Sequence, residues 1–133
     1  MPPVRVRPVI SKDTEFFWHG LQRGELLVQA CARCGALQHP PGPSCGQCLS
    51  LEMTSLRMRG TGVIYSYVIH HTPAIPGFDE PHIVVLVELD EGPRMIANLL
   101  DAAPEDVRIG AGVVVDFQRL DDVVLAQFRL QPT

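Results

Sequence analysis

Cys31-Ala32-Arg33-Cys34 and Cys45-Gly46-Gln47-Cys48 hold all four cysteines of the chain, as two CxxC pairs separated by residues 35–44. Each pair can set two thiolates on one tight turn. Two such turns facing each other enclose a tetrahedral pocket of four sulfurs, whose usual occupant is Zn2+ at about 2.3 Å from each. The gap is shorter than the common spacing of about 15–20 residues, and it suits a minimal ribbon in which a short hairpin joins two knuckles. The alternatives are two disulfides or four free thiols. Disulfides need an oxidising compartment, and nothing in the sequence points to one. A site closed by four protein sulfurs leaves no position for water or substrate, so the reading is a structural metal site. The ligands are Cys31, Cys34, Cys45 and Cys48. The ribbon around them has too little apolar surface to fold alone, and metal binding would supply the missing stability.

Working outward, the chain of 133 residues has room for one ordinary domain, or a domain with a small module attached. Hydrophobic residues make up 46% and charged residues 20%, which is a globular composition. No apolar run is long enough to span a bilayer. Met1-Pro2-Pro3-Val4-Arg5 lacks the apolar centre of a signal peptide. A cytoplasmic location follows, where reduced thiols favour metal over disulfide. The formal net charge is −4 and Lys12 is the single lysine. Nucleic-acid binders normally carry a basic face, because phosphate neutralisation supplies most of their affinity; this balance argues against nucleic acid.

Before the ribbon, residues 1–10 form a proline-containing arm, and Ser11 to Gly24 reads as a short helix. Ser11 or Asp13 caps it, Glu15 suits its first turn and Gly24 stops it. Phe17 and Trp18 each pair with Leu21 at helical spacing. Phe16, Phe17 and Trp18 in a row cannot all face one small core. With Leu21 they form a candidate docking element for a partner chain; the alternative is a lid on the chain's own core. Leu26 to Ala30 enters the first knuckle as a strand, and Leu49 to Met58 leaves the second.

From Gly60 the text turns to strands. Val63, Tyr65, Tyr67 and Ile69 share one face of a long first strand, read as its inward side. Ile83 to Leu89 is apolar on both faces. Asp90-Glu91-Gly92-Pro93 is a hairpin turn, and Arg94 to Leu100 the return. Pro104 to Val107 is a helical turn with its acids at the positive end. Gly112 to Leu120 and Val123 to Leu130 close the set. Five strands with a helical link after the third are the OB-fold pattern. The fold expected is mainly β, divided as 1–24 (arm and helix), 25–58 (ribbon) and 59–133 (OB-fold).

An enzyme in its own right has little support. His19, His39, His70, His71 and His82 have no nucleophile or paired carboxylate at a telling spacing, and GxSxG, HExxH, P-loop and GxGxxG motifs are missing. Asp79-Glu80 and Asp90-Glu91 read as solvated turn acids. Tyr65, Tyr67 and Phe117 could stack bases, but core packing explains inward aromatics. Arg57, Arg59, Arg94 and Arg108 suit phosphates of nucleic acid or of coenzyme A alike.

Taken in order, Phe17-Trp18, Gly24-Glu25-Leu26, Cys31 to Gly35, Pro40-Pro41, the second CxxC, Gly60 to Ser66 and Val87 to Arg94 resemble the acyl-CoA-associated zinc-ribbon/OB-fold proteins called domain of unknown function 35. The resemblance spans about Thr14 to Leu130. Gly42 departs from the family's usual text, where an arginine often follows the paired prolines, and so does Gly46, where a proline often follows the third cysteine.

The resemblance implies a rubredoxin-like zinc ribbon packed on an OB-fold, and a non-catalytic role beside thiolase-superfamily enzymes. In archaea such proteins bridge a thiolase and a hydroxymethylglutaryl-CoA synthase. In actinobacteria they are fused to MaoC-like enoyl-CoA hydratases and partner lipid-transfer-protein-like aldolases that shorten steroid side chains. Arg5 to Ser11 is similar to the text leading into the domain in such fusions. The expected partner is therefore a thiolase-like aldolase, with a CoA ester as a candidate at the interface. The proline-rich loop, with His71, Pro73, Ile75, Pro76 and Phe78, is a candidate wall of the acyl or pantetheine channel. The runner-up readings are a condensing-enzyme bridge and a zinc-ribbon/OB-fold nucleic-acid module.

Overall fold

A computed structural model of the chain describes residues 7–71 and 82–132. Its elements are α1 (Glu15–Gln22), β1 (Leu26–Cys31), β2 (Leu37–Gln38), β3 (Met53–Met58), β4 (Thr61–His70), β5 (His82–Leu89), β6 (Arg94–Asn98), a 3-10 turn (Pro104–Asp106), β7 (Gly112–Leu120) and β8 (Val123–Leu130). They form two antiparallel sheets, β2-β1-β3 and β6-β5-β4-β7-β8. The second is the expected five-stranded OB-fold. Its ends meet where Leu99 bridges Phe128 in parallel and the Leu100 N–H donates to the Phe128 carbonyl at 2.8 Å. Arg129 reinforces this closure by pairing with both Asp101 and Asp116.

The helix is shorter than the sequence predicts. Ser11 and Thr14 bond each other in a local turn, and the Ser11 N–H donates to Thr14 Oγ1 at 2.9 Å. That turn occupies the residues expected to cap, so Thr14 becomes the N-cap. Gly24, at φ +75°, stops the helix as expected, with its N–H on the Leu21 carbonyl. Gly20 lowers helix propensity, yet a Cβ there would lie 2.7 Å from Leu27 Cδ1. Close approach of α1 to β1 is the reason for a glycine in mid-helix.

One apolar cluster runs through helix, ribbon sheet and barrel. It joins Phe17, Leu21, Leu26, Val28 and Met58 to Ile64, Val85, Val87, Val113 and Phe128. Burial of this continuous surface, at about 25 cal/mol per Å² of apolar area, is the main force holding the two sheets together.

The inward face of β4 differs from its expected alternation. The register slips between Ile64 and Ser66. One extra residue in a strand flips every later side chain to the other face. Gly62 and Ile64 are buried before the slip, and Tyr67 and Ile69 pack on the core after it. Val63 and Tyr65 therefore face outward, and the Arg94 guanidinium lies 3.7 Å from the Tyr65 ring centroid. Asp90 and Glu91 are also more than solvated turn acids. Asp90 accepts from the Thr61 hydroxyl, and Glu91 Oε2 accepts from the Arg59 N–H at 2.8 Å, fixing the entry to β4. Among the described residues no helix is long and apolar enough to cross a membrane.

Candidate metal centre and partner surface

The two CxxC turns are built alike. In the first, the Arg33 and Cys34 N–H groups both donate to Cys31 Sγ, each at 3.4 Å. In the second, the Gln47 and Cys48 N–H groups donate to Cys45 Sγ at 3.3 and 3.5 Å. Cys31 and Cys45 are buried, while Cys34 and Cys48 are exposed. β1 delivers Cys31 from the sheet, and the loop after β2 brings Cys45 across to it.

The four sulfurs lie within 4.8 Å of one another, and none is in a disulfide. Cys31 faces Cys48, and Cys34 faces Cys45, each with sulfurs 3.6 Å apart. Corners of a tetrahedron about 2.3 Å from its centre lie about 3.8 Å apart, so the donor set fits a metal ion bound by four thiolates.

Proton affinities follow from the same contacts. The Cys34 N–H, with smaller help from Arg33 and the neighbouring thiols, lowers Cys31 to about 6, against burial. The Cys48 and Gln47 N–H groups likewise lower Cys45. For Cys48 the backbone bond at Ser50 acts downward, but the neighbouring Cys31 sulfur, burial and the other two sulfurs together push it up to about 12. Four sulfurs this close do not all ionise on their own, and a divalent cation removes that conflict.

Two glutamines that the sequence did not single out hold the loop between the knuckles. The buried Gln29 donates to the Gly42 carbonyl at 2.8 Å and accepts the Gly42 N–H at 2.9 Å. Gln38 donates to Gln29 at 2.6 Å and to the Ser44 carbonyl, and it accepts the Gly46 N–H at 2.9 Å. The sequence signal was faint: two neutral amides on paired strands, beside a stretch rich in proline and glycine whose backbone groups need partners.

The expected docking residues separate in the structure. Phe17 and Leu21 are buried in the chain's own core, so their side chains are not offered to a partner. Phe16 and Trp18 are half-buried against that core and keep some surface. The Trp18 ring meets Phe17 edge-on at 5.1 Å, and Phe17 contacts His39 at 5.4 Å. Burial lowers the His39 pKa below its ordinary 6.5. Trp18, His39 and Pro40 line a cleft of about 510 Å³ with Ile96, Ala126 and other β6 and β8 residues. Of the candidate channel residues, His71 is exposed just past β4; Pro73, Ile75, Pro76 and Phe78 lie outside the described residues. His70 stacks on His82 at 4.8 Å across β4 and β5.

Two sequence families match this architecture piece by piece. The ChsH2 rubredoxin-like zinc ribbon domain matches residues 18–54, and the ChsH2 C-terminal OB-fold domain matches residues 57–118. A DUF35 domain-containing scaffold protein of Methanothermobacter thermautotrophicus is 31% identical over 131 residues, covering 93% of this chain and 98% of the relative. The chain belongs to the DUF35 family. A solved DUF35 chain, from the "Ltp2-ChsH2(DUF35) aldolase", is 41% identical with a TM-score of 0.88, covering 93% of this chain and 98% of that one.

Two other relatives are longer than this chain. A probable enoyl-CoA hydratase alpha subunit of Thermomonospora curvata is 41% identical over 127 residues, covering 95% of this chain. The 3-oxo-4,17-pregnadiene-20-carboxyl-CoA hydratase alpha subunit of Mycobacterium tuberculosis is 42% identical over 112 residues, covering 84% of this chain. The chain spans 40% and 36% of the lengths of these two relatives.

Proposed function

We propose that this DUF35 chain is a non-catalytic accessory unit of a thiolase-like, lipid-transfer-protein-type aldolase acting on acyl-CoA esters. The reaction it supports is retro-aldol cleavage in steroid side-chain degradation. The observation that carries this reading is the likeness to the DUF35 chain of the Ltp2–ChsH2 aldolase, at 41% identity and 98% coverage. The pregnadiene-carboxyl-CoA hydratase relative supports the steroid assignment. In this reading the chain works in the cytoplasm, as the C-terminal part of a MaoC-like hydratase subunit or beside one.

The cysteine set has an architectural role. Zn2+ bound by Cys31, Cys34, Cys45 and Cys48 would have all four positions filled by protein, with none left for a substrate. Bond cleavage therefore falls to residues of the aldolase. The division into 1–24, 25–58 and 59–133 describes how the parts serve it: the ribbon and helix present a fixed surface, and the barrel carries them. Phe16 and Trp18 belong to that surface, with the 510 Å³ cleft beside Trp18. His71 and the loop after it border the acyl-CoA at the interface. Nucleic acid fits less well, because Arg59 and Arg94 are ion-paired to Glu91 and Glu88, and Arg94 covers Tyr65.

The test is reconstitution. A steroid acyl-CoA aldol substrate is incubated with the aldolase, with this chain, and with both. Cleavage should need the aldolase and rise when this chain is added. Cleavage by this chain alone would overturn the proposal. A second reading, a bridge between a thiolase and a hydroxymethylglutaryl-CoA synthase, draws on the full-length likeness to archaeal DUF35 scaffold proteins. It expects a stimulated acetoacetyl-CoA condensation instead.

A further inference from the structure

The two knuckles act as each other's control. In the first, the Gly35 N–H donates to the Cys31 carbonyl and the Cys31 N–H to the Ala36 carbonyl, both at 2.9 Å. In the second, the Leu49 N–H donates to the Cys45 carbonyl at 3.0 Å and the Cys45 N–H to the Ser50 carbonyl at 2.9 Å. The turn demands a left-handed residue just after the second cysteine of each pair. Gly35 meets that demand at φ +80°, and Leu49 meets it at φ +64°. Glycine takes this conformation freely. A leucine is strained there, because its Cβ crowds the following carbonyl oxygen.

Strain of this kind persists where something else requires the side chain. Among the described residues nothing does, since Leu49 is 77% exposed. Two residues on, Leu51 is 79% exposed. Its counterpart in the first knuckle, Leu37, packs against the core. Between the two exposed leucines Ser50 is buried, and its hydroxyl accepts the Glu52 N–H at 3.0 Å, so the turn is fixed in shape. Single exposed apolar residues are ordinary. A strained one beside a second, on a hydrogen-bonded turn next to a metal ligand, calls for an external partner.

We propose that Leu49 and Leu51 form an anchor that seats in an apolar pocket of the thiolase-like aldolase. The choice of occupant rests on the accessory reading above. It also rests on the chemistry of the tip: Gln47, Leu49, Ser50 and Leu51 carry no charge, and the next exposed residue, Glu52, is acidic, which leaves two leucines for an apolar protein pocket and repels a phosphate. A pre-shaped turn also loses little conformational freedom on docking.

The test measures the Kd of the full, zinc-loaded chain for the Ltp2-like aldolase of its own organism, together with the melting temperature of each variant. Leu49→Gly and Leu51→Ala should each weaken binding at least about tenfold, the scale expected for a buried leucine. Leu49→Met should stay within about threefold, because Met fills similar volume. Ile109→Ala, at an exposed site elsewhere, should change nothing. Leu49→Gly should melt no lower than the parent, because it relieves strain. Unchanged binding by Leu49→Gly and Leu51→Ala overturns the anchor and leaves the accessory reading standing. A lower melting temperature for Leu49→Gly also overturns it, by showing that the leucine serves the chain's own fold. No binding by the unmodified chain overturns both.

Discussion

The ribbon and the barrel sit on one apolar cluster but are held by different forces. The barrel has Phe128, Ile64, Val85, Val87 and Val113 sealed from water, and its central strand β5 alternates cleanly between inside and outside. Beyond β1, the ribbon buries little besides Cys45, Ser50 and Met58. Its loop is fixed by amides on backbone groups and by four sulfurs. The difference teaches where surface is left for other work. The barrel stabilises itself by burying its largest apolar residues, and it still leaves Val68, Ile96 and Ile109 exposed on unstrained backbone. A ribbon pinned by sulfur and hydrogen bonds can afford Leu49 and Leu51 outside.

Breaking the ribbon should have the largest effect. Cys31→Ser removes one sulfur from the proposed zinc site, and metal binding at such sites contributes about 10–16 kcal/mol in small zinc peptides. It should abolish stoichiometric zinc and leave the amides of β1 and β3 open to hydrogen exchange. Breaking the barrel should look different. Phe128→Ala should cost about 3–5 kcal/mol by denaturant unfolding, while one zinc per chain is retained under native conditions. If Phe128→Ala lost its zinc first, the two regions would not be held independently.

Smaller changes sharpen the contrast. Gln29→Leu strands the Gly42 N–H and carbonyl, and should destabilise by about 1–3 kcal/mol. Its slowed or lost protection should be confined to residues 38–46. The smallest effect concerns pH. Burial holds the His39 pKa below 6.5, so the unfolded chain takes up a proton first as pH falls. Stability from the neutral ring is fully present above pH 6.5 and is lost as pH drops through the folded pKa. The melting-temperature advantage of the parent over His39→Phe should therefore shrink from pH 7.5 to pH 5. An advantage that grows on acidification would reverse the sign.

Much of this was legible in the sequence. Cysteine spacing gives the ribbon, and the strand periodicity with its turn residues gives the barrel, nearly to the residue at β7 and β8. What escaped is tertiary. Periodicity cannot register a bulge, so alternation places Tyr65 inward while the slip in β4 sets it outside, under Arg94. Helical spacing says that Phe17 and Leu21 share a face, but not that β1 and β8 cover it. The Gln29–Gln38 clasp needs the register of β1 on β2 before it can be seen. Leu49 reads as one more leucine until its backbone angle is set beside that of Gly35.

The most direct test of the account uses Cys45→Ser in the full chain. Binding to the aldolase and cleavage of a steroid acyl-CoA are followed in the same titration. The account predicts that complex formation and stimulated cleavage are lost together, because the sulfurs hold the surface that docks. A complex that still forms at parental affinity, with cleavage gone, would contradict it and would put the chemistry at the metal.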